Sequence, residues 1–470
     1  MPFSFKLDRT IRTSLTDQIR CSIGSAIESG VLPPGSRLPS WVDLATQLGV
    51  SRGTVRAAYE MLMDAQLIVA SRSGGTRVSD RLSTIRDHEP CIESSEFMDL
   101  YHDLTTGPSV FRLGLPATKV LPAKLFSRIR SQAMRMEQGE TLLYPDPRGE
   151  LELRRAIAAY LRISRGVECQ PSQVMITNGF ASGLGLVLRA LELKNQKVWI
   201  EDPCFPFTKK GLELAGLTPV PVPVDACGFN VDYATALAPD AALALVTPGQ
   251  HAPLGMPLSM SRRSDLLKWA TDTGAWIIED DYMSELQLES RAAPALASMD
   301  NAGRVIHIGS FSKTISPALR LGFVVAPSSL VPKISEVSAC LSPAPAAGVQ
   351  LATAEFMSQG HYLRHLRRAK KYYCLQKNEL LKTLTKYFPQ FRISAAGLAI
   401  LIKLPNEVSD VEIASNASAY GMSPGALSPW YVEAGHAESG IMLGIATSPT
   451  GNLDSYCARL HELIESKINN

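Results

Sequence analysis

Lys313 lies in the run Gly309-Ser310-Phe311-Ser312-Lys313-Thr314, with Arg320 seven residues on. An amine flanked by hydroxyls, with a guanidinium nearby, has the groups needed to hold an aldehyde that also carries a phosphate. The amine condenses with the aldehyde as a Schiff base, and the hydroxyls and guanidinium take the phosphate. Pyridoxal 5'-phosphate is a cofactor of that kind, and it makes further demands. A carboxylate must keep its ring nitrogen protonated, a donor must meet its phenolic oxygen, and an aromatic should stack on the ring. Asp280 and Tyr282 of Glu279-Asp280-Asp281-Tyr282 suit the first two, and Phe205 after Asp202-Pro203 suits the third. The backbone after Gly179, at Phe180 and Ala181, joins Ser310, Ser312 and Arg320 as the expected phosphate cradle.

Each member has a plainer reading. A lone Ser-x-Lys is common on surfaces, Glu279–Tyr282 at a strand end would also hold Mg²⁺, and Phe205 could be core. The ordered combination carries the specificity.

The elements that would position these residues are legible as apolar runs. Val174–Thr177, Val198–Ile200, Leu243–Val246, Trp276–Ile278 and Val305–Ile308 read as strands of a parallel sheet covered on both faces. Polar or Gly/Pro residues follow each run, and ligands of open α/β sheets bind beyond the carboxyl ends of strands. After about residue 345, a helical stretch leads to Phe391–Leu404 and Gly440–Ala446, which read as strands of a smaller C-terminal subdomain.

The N-terminal segment has another character. Leu15, Ile19, Ile23 and Ile27 recur at helical spacing, Ser40 and Ser51 read as N-caps, and Gly49-Val50-Ser51 reads as a turn between two helices. Val55, Ala58, Tyr59, Leu62 and Met63 form a buried stripe. Ile68–Ala70 and Thr76–Val78, around Ser73-Gly74-Gly75, read as a hairpin wing. Such a helix-turn-helix would present Arg52 and Thr54 to base edges, with Ser51 and Arg56 beside them. Arg37, Ser40, Thr76 and Arg77 are better placed for phosphates. On pattern alone, a solvated helix hairpin is an equal reading.

Bulk properties bound the answer. The 470 residues allow two or three domains. The net charge of +2 is carried by residues 1–80, with nine Lys/Arg against seven Asp/Glu, so a DNA-binding face depends on local clustering. No uncharged apolar run reaches the ~18 residues of a membrane span, and the N-terminus lacks a signal-peptide core. The eight cysteines are scattered without metal-ligand spacing. A cytoplasmic protein without membrane partner or bound metal is expected.

Residue identities go further. Leu32-Pro33-Pro34-Gly35-Ser36-Arg37-Leu38-Pro39-Ser40, Asp43-Leu44-Ala45, Leu48–Arg52, Thr54-Val55-Arg56 and Tyr59-Glu60 resemble the winged helix-turn-helix of GntR regulators. The Asp280, Tyr282 and Lys313 set, in this order, resembles fold-type I pyridoxal-phosphate enzymes, the aminotransferase fold. With Tyr144–Gly149, Leu153-Arg154, Arg165-Gly166-Val167, Thr247-Pro248 and Arg262-Arg263, nearly the whole chain looks like the MocR subfamily of GntR regulators. The resemblance implies a multidomain chain: a mainly α winged helix-turn-helix at 12–79, a linker at 80–110, and an α/β aminotransferase-like domain at 111–470. The last includes a small α+β subdomain from about 345. It also implies a homodimer, an operator of double-stranded DNA, pyridoxal phosphate on Lys313, and an effector that is a small amine or the cofactor itself. A pyridoxal-phosphate-dependent aminotransferase with a residual DNA module is the alternative; a regulator that has lost its cofactor is a third reading.

The departures are specific. Phe207 and Met442 stand where related sequences often carry arginines for a substrate carboxylate. Val42 stands where an arginine usually follows the Pro-Ser pair, Gly249-Gln250-His251 replaces a His-Gln, and Met283 replaces an acid. These losses count against an ordinary amino-acid transaminase and favour sensing over turnover.

Overall fold

The computed structural model describes residues 7–9, 13–71, 75–79, 95–140, 144–288 and 293–468. The chain divides into two units, Met1–Tyr101 and His102–Asn470.

In the first unit three serines start three helices. Ser14, Ser40 and Ser51 each accept a 3.1 Å hydrogen bond from a first-turn backbone N–H, those of Asp17, Asp43 and Thr54. They begin α1 (Leu15–Glu28), α2 (Trp41–Leu48) and α3 (Arg52–Asp64). Each such cap is worth about 1 kcal/mol. Gly49 ends α2 at φ +63°, a left-handed conformation in which a side chain would be strained. The helical spacing of Ile19, Ile23 and Ile27 sets them on one face of α1. There they share a core with Leu44 and Ala45 of α2 and Val55, Ala58, Tyr59 and Leu62 of α3. The Tyr59 hydroxyl donates to the Pro39 carbonyl at 2.9 Å and ties α3 to the entry of α2.

The wing is β1 (Ile68–Ser71) paired antiparallel with β2 (Gly75–Val78), Ile68 opposite Val78. Ser73-Gly74 of the expected turn lies outside the described residues. Residues 35–38 run along the other edge of β2 through bonds from Leu38 N to Thr76 O and from Val78 N to Ser36 O, both 2.9 Å. Of the expected linker, 80–94 lies outside the described residues, whereas Glu96–Thr105 within 95–110 is a helix.

In the second unit the five apolar runs become β3 (Val174–Thr177), β4 (Lys197–Asp202), β7 (Leu243–Val246), β8 (Trp276–Asp281) and β9 (Val305–Ser310). They are joined by β5 (Thr218–Asp225), β6 (Gly228–Phe229) and β10 (Gly322–Val325). The eight-stranded order is β3-β10-β9-β8-β7-β4-β5-β6. The sheet is mixed rather than wholly parallel: β10 is antiparallel to both β3 and β9, and β6 to β5. Alternate residues go to opposite faces, as the period of two requires. Val198, Ile200, Leu245, Ile278 and Ile308 pack on one face with the helix Phe180–Leu191. Trp199, Ala244, Val246 and Ile277 pack on the other with the helix Met260–Thr273. There Trp199 stacks on Trp269, ring centroids 3.9 Å apart. Truncating Trp199 to alanine would cost about 3–5 kcal/mol.

Beyond the long helix His361–Tyr387, the strands β11 (Ile393–Ala396), β12 (Ala399–Lys403), β13 (Gly425–Ala426) and β14 (Gly440–Gly444) form an antiparallel sheet, order β11-β12-β14-β13. Among the described residues no helix is long and apolar enough to cross a membrane.

Candidate cofactor and DNA-contacting sites

The antiparallel insertion of β10 builds one side of the cleft. Gly322 is the partner of Thr177 at the end of β3 and of Ser310 at the end of β9. A Cβ on Gly322 would come within 3.0 Å of Gly179 Cα, so only glycine lets the two strand ends close together. Gly179, at φ +84°, turns the chain into the helix Phe180–Leu191, whose first amides at Phe180 and Ala181 are free of helical partners. Facing that helix start across Gly322 is the Ser310 hydroxyl, which donates to Ser312 Oγ at 3.0 Å and accepts from Ser312 N. The chain then passes through Lys313 and returns by Arg320. That arginine sits at φ +48°, exposed, its guanidinium without a hydrogen bond or ion pair among the described residues. A non-glycine residue held in this region costs on the order of 1–3 kcal/mol, a strain found at ligand clamps. Two hydroxyls and a helix N-terminus thus adjoin across Gly322, groups that suit an anion, and Arg320, two residues before Gly322, carries an uncommitted guanidinium.

Lys313 Nζ donates to the carbonyl of Gly114 at 2.8 Å. Burial lowers its pKa, and the charge of Asp280 opposes that shift.

On β8 the pleat separates three acids. Glu279 and Asp281 point to one face and are satisfied there. Glu279 accepts from Leu296 N at 2.7 Å and Ala297 N at 3.0 Å, and lies 3.0 Å from His307 Nδ1. Asp281 pairs with Arg165 at 2.7 Å. Burial alone would lower the pKa of His307, but Glu279 and Asp281 outweigh it and raise it. Asp280 points to the other face, and its Oδ1 is buried without a hydrogen-bond partner. Burial, then the charges of Asp281 and Glu201, push its pKa well up, opposed by Lys313. A buried carboxylate oxygen with no donor is a strained arrangement that a protonated ring nitrogen would relieve. The residues present therefore fit pyridoxal phosphate. Tyr282 follows two residues on, its pKa raised by burial and by Asp280.

Phe205 begins the helix Pro206–Leu214. Its ring lies 4.7 Å from Phe207 and 5.5 Å from Trp430. Trp430 is held by Cys204 N to its carbonyl at 2.8 Å and, two residues on, by Val432 N to Asp202 Oδ1 at 2.7 Å.

In the first unit Arg52 stands exposed at the start of α3, uncommitted among the described residues. The Thr54 hydroxyl lies 2.8 Å from Ser51 Oγ, inside the cap. Ser40 is likewise occupied with Asp43, and Arg56 pairs with Glu60 at 2.9 Å. Arg37 and Arg77 are backbone partners beside the wing, and the Arg37 guanidinium lies against Gly75. Arg77 also donates to the Gly35 carbonyl at 3.0 Å, and the Thr76 carbonyl is engaged with Leu38.

Two family patterns match the chain: bacterial regulatory proteins of the gntR family over residues 15–78, and aminotransferase class I and II over residues 116–420. A probable rhizopine catabolism regulatory protein, MocR, of Rhizobium meliloti is 32% identical, covering 94% of this chain and 92% of that protein. The pyridoxine biosynthesis transcriptional regulator PdxR of Corynebacterium glutamicum is 30% identical, covering 97% and 96%. The chain belongs to the MocR subfamily of GntR-type transcriptional regulators. An archaeal alanine:glyoxylate aminotransferase matches the MocR-type effector domain in fold, with TM-score 0.72, 24% identity and coverage of 80% of this chain and 96% of that one.

Sequence reasoning gave several residues of this site no role. Gly114 is one; its φ of +72° favours glycine, and a Cβ there would lie 2.6 Å from Lys313 Nζ, so the amine would have to move. Another is the buried group Glu201, Thr247 and His251. Glu201 accepts from Thr247 N at 3.0 Å and Thr247 Oγ1 at 2.6 Å, yet burial lifts it to about 7. His251 Nδ1 accepts from Leu254 N, so Nε2 carries the proton and donates to the Pro203 carbonyl at 3.0 Å. Burial lowers His251 to about 4, which keeps it neutral. Thr247-Pro248 and Asp202-Pro203 were the sequence signals for this group.

Proposed function

We propose that this regulator binds pyridoxal phosphate through Lys313 and uses that site to sense a small amine, or the cofactor itself, changing how its helix-turn-helix engages operator DNA. The observation that carries this reading is Asp280 Oδ1, buried and partnerless at a strand end, on a chain whose Lys313 feels its charge. Bound pyridoxal phosphate supplies an aldehyde carbon that exchanges between amines. Lys313, its pKa lowered by burial against the opposing charge of Asp280, offers the amine that bonds that carbon. Asp280 holds the ring nitrogen's proton, and Tyr282 donates to the phenolic oxygen. Phe205 covers the ring and keeps water from it. The amides of Phe180 and Ala181, with Ser310, Ser312 and Arg320, bind the phosphate.

Coupling to DNA requires that the effector bind two conformations unequally. A homodimer would present two DNA modules whose spacing could change. Met134, Met136, Tyr144 and Leu151 are large, exposed and apolar, consistent with a surface covered by a second copy. A regulator of DNA acts in the cytosol.

The experiment is reconstitution of the purified full-length chain with pyridoxal phosphate. A visible absorption band is expected, absent in Lys313→Ala. A colourless wild type would refute the reading. Steady turnover of an amino donor and a keto acid, with no salt-sensitive DNA affinity, would favour an aminotransferase.

A further inference from the structure

The cleft beside Lys313 has an apolar wall. Leu113, Leu254 and Trp430 are half-buried and pack on Leu401, Leu427 and Met442. Phe205 and Phe207 continue the wall from Trp430. Leu113 directly precedes Gly114, whose carbonyl holds the Lys313 amine, so the wall starts at the reactive nitrogen. Gln250 Oε1 is buried without a partner, an acceptor that suits a donor and repels a carboxylate. Three cations of the neighbouring elements are committed elsewhere. Lys403 pairs with Glu438 at 2.7 Å, Lys210 with Glu213 at 3.7 Å, and Arg112 bonds Pro108 O and Ser423. Lys209 lies one helical turn beyond Phe205.

We infer that the effector read by this site is a primary amine with an aromatic or branched apolar body and no carboxylate. The inference rests on the cofactor reading of Lys313 above. The amine takes the place of the Lys313 nitrogen, and an apolar body gains by burial against the wall. A carboxylate entering the same space loses its water against apolar side chains and meets no bidentate partner among the described residues. In the exchange the incoming nitrogen forms the C=N bond as the Lys313 nitrogen leaves it. Two protons pass from one nitrogen to the other; nothing is oxidised or reduced, and no water is consumed.

The test compares 2-phenylethylamine with L-phenylalanine, which differ by the carboxylate, on the full-length chain loaded with pyridoxal phosphate. Binding is followed by the visible spectrum and independently by the thermal unfolding midpoint. The amine should bind at least tenfold more tightly, and Phe207→Arg should shrink that ratio by strengthening phenylalanine. Phenylalanine bound as tightly as the amine by the wild type overturns the inference. So does Lys209→Met if it weakens phenylalanine alone, because Lys209 would then be the missing carboxylate partner. A chain that never acquires a visible band refutes the cofactor reading, and the inference falls with it.

Discussion

Lys313 Nζ and the Gly114 carbonyl meet at 2.8 Å although 199 residues of chain separate them. The strand-end loop thus presents its amine only because a distant glycine turn receives it. Gly114→Ala adds a methyl 2.6 Å from that nitrogen, at φ +72°, where a side chain is already strained. Cofactor affinity is expected to fall at least about tenfold, the equivalent of 1.4 kcal/mol. Far-ultraviolet circular dichroism should be unchanged. Spectral titration with pyridoxal phosphate measures the first; unaltered affinity would detach Gly114 from the site.

Asp280 trades stability for binding. Its carboxylate is buried with Oδ1 unpartnered, so Asp280→Asn removes the cost of ionising it. The cofactor-free chain should gain about 1–3 kcal/mol, measured by urea unfolding. The same change removes the anion for the ring nitrogen, so affinity for pyridoxal phosphate should fall. Loss of stability in Asp280→Asn would show a structural role instead.

Glu201 makes stability depend on pH. Burial raises its folded pKa to about 7 from 4.5. Between these values the folded chain holds a proton that the unfolded chain has lost, so stability falls as pH rises through the window. Its contribution is intact below about 4.5 and gone above about 7. Glu201→Gln keeps an acceptor for Thr247 N and should be more stable than wild type by on the order of 2–3 kcal/mol at pH 8. Near pH 4.5 the two should differ little. Denaturant titrations at both pH values check the sign; equal curves at pH 8 would contradict it.

On the DNA side, Arg52 and the Arg37–Arg77 pair should separate. Arg52→Ala is expected to cost about 1–3 kcal/mol and to relax sequence discrimination. Arg77→Ala should weaken all sequences alike and reduce the salt slope by about 1. Binding isotherms at several salt concentrations, on specific and scrambled duplexes, distinguish the two.

What could be read from the chain follows from how local the signal is. Ser40 and Ser51 are legible as caps because a cap acts within one turn. Asp280 and Lys313 are legible because strand ends and hydroxyl spacing are local too. Gly114 is not, since its partner is set by tertiary approach. Strand β5 escaped notice because Pro219, Pro221 and Pro223 argue against a strand. All three face the same side, outward, where Asn230 N reaches the Pro223 carbonyl at 3.2 Å and β6 pairs only with Val224 and Asp225. Their missing N–H groups therefore cost the sheet nothing. The direction of β10 has no sequence signature at all, yet it brings Gly179 and Ser310 together. The Thr54 hydroxyl, expected at base edges, also reaches the Ser51 hydroxyl of its own cap, a contact that the helix pattern does not announce.

The most direct measurement is the affinity of the full-length chain for DNA selected by in vitro binding, with and without pyridoxal phosphate and an amine. It is made on wild type and on Lys313→Ala. Wild-type affinity is expected to change at least fivefold with ligand, about 1 kcal/mol of coupling, while Lys313→Ala stays constant. Equal affinities for wild type in every state, or a ligand response that survives in Lys313→Ala, would contradict a sensing role for Lys313.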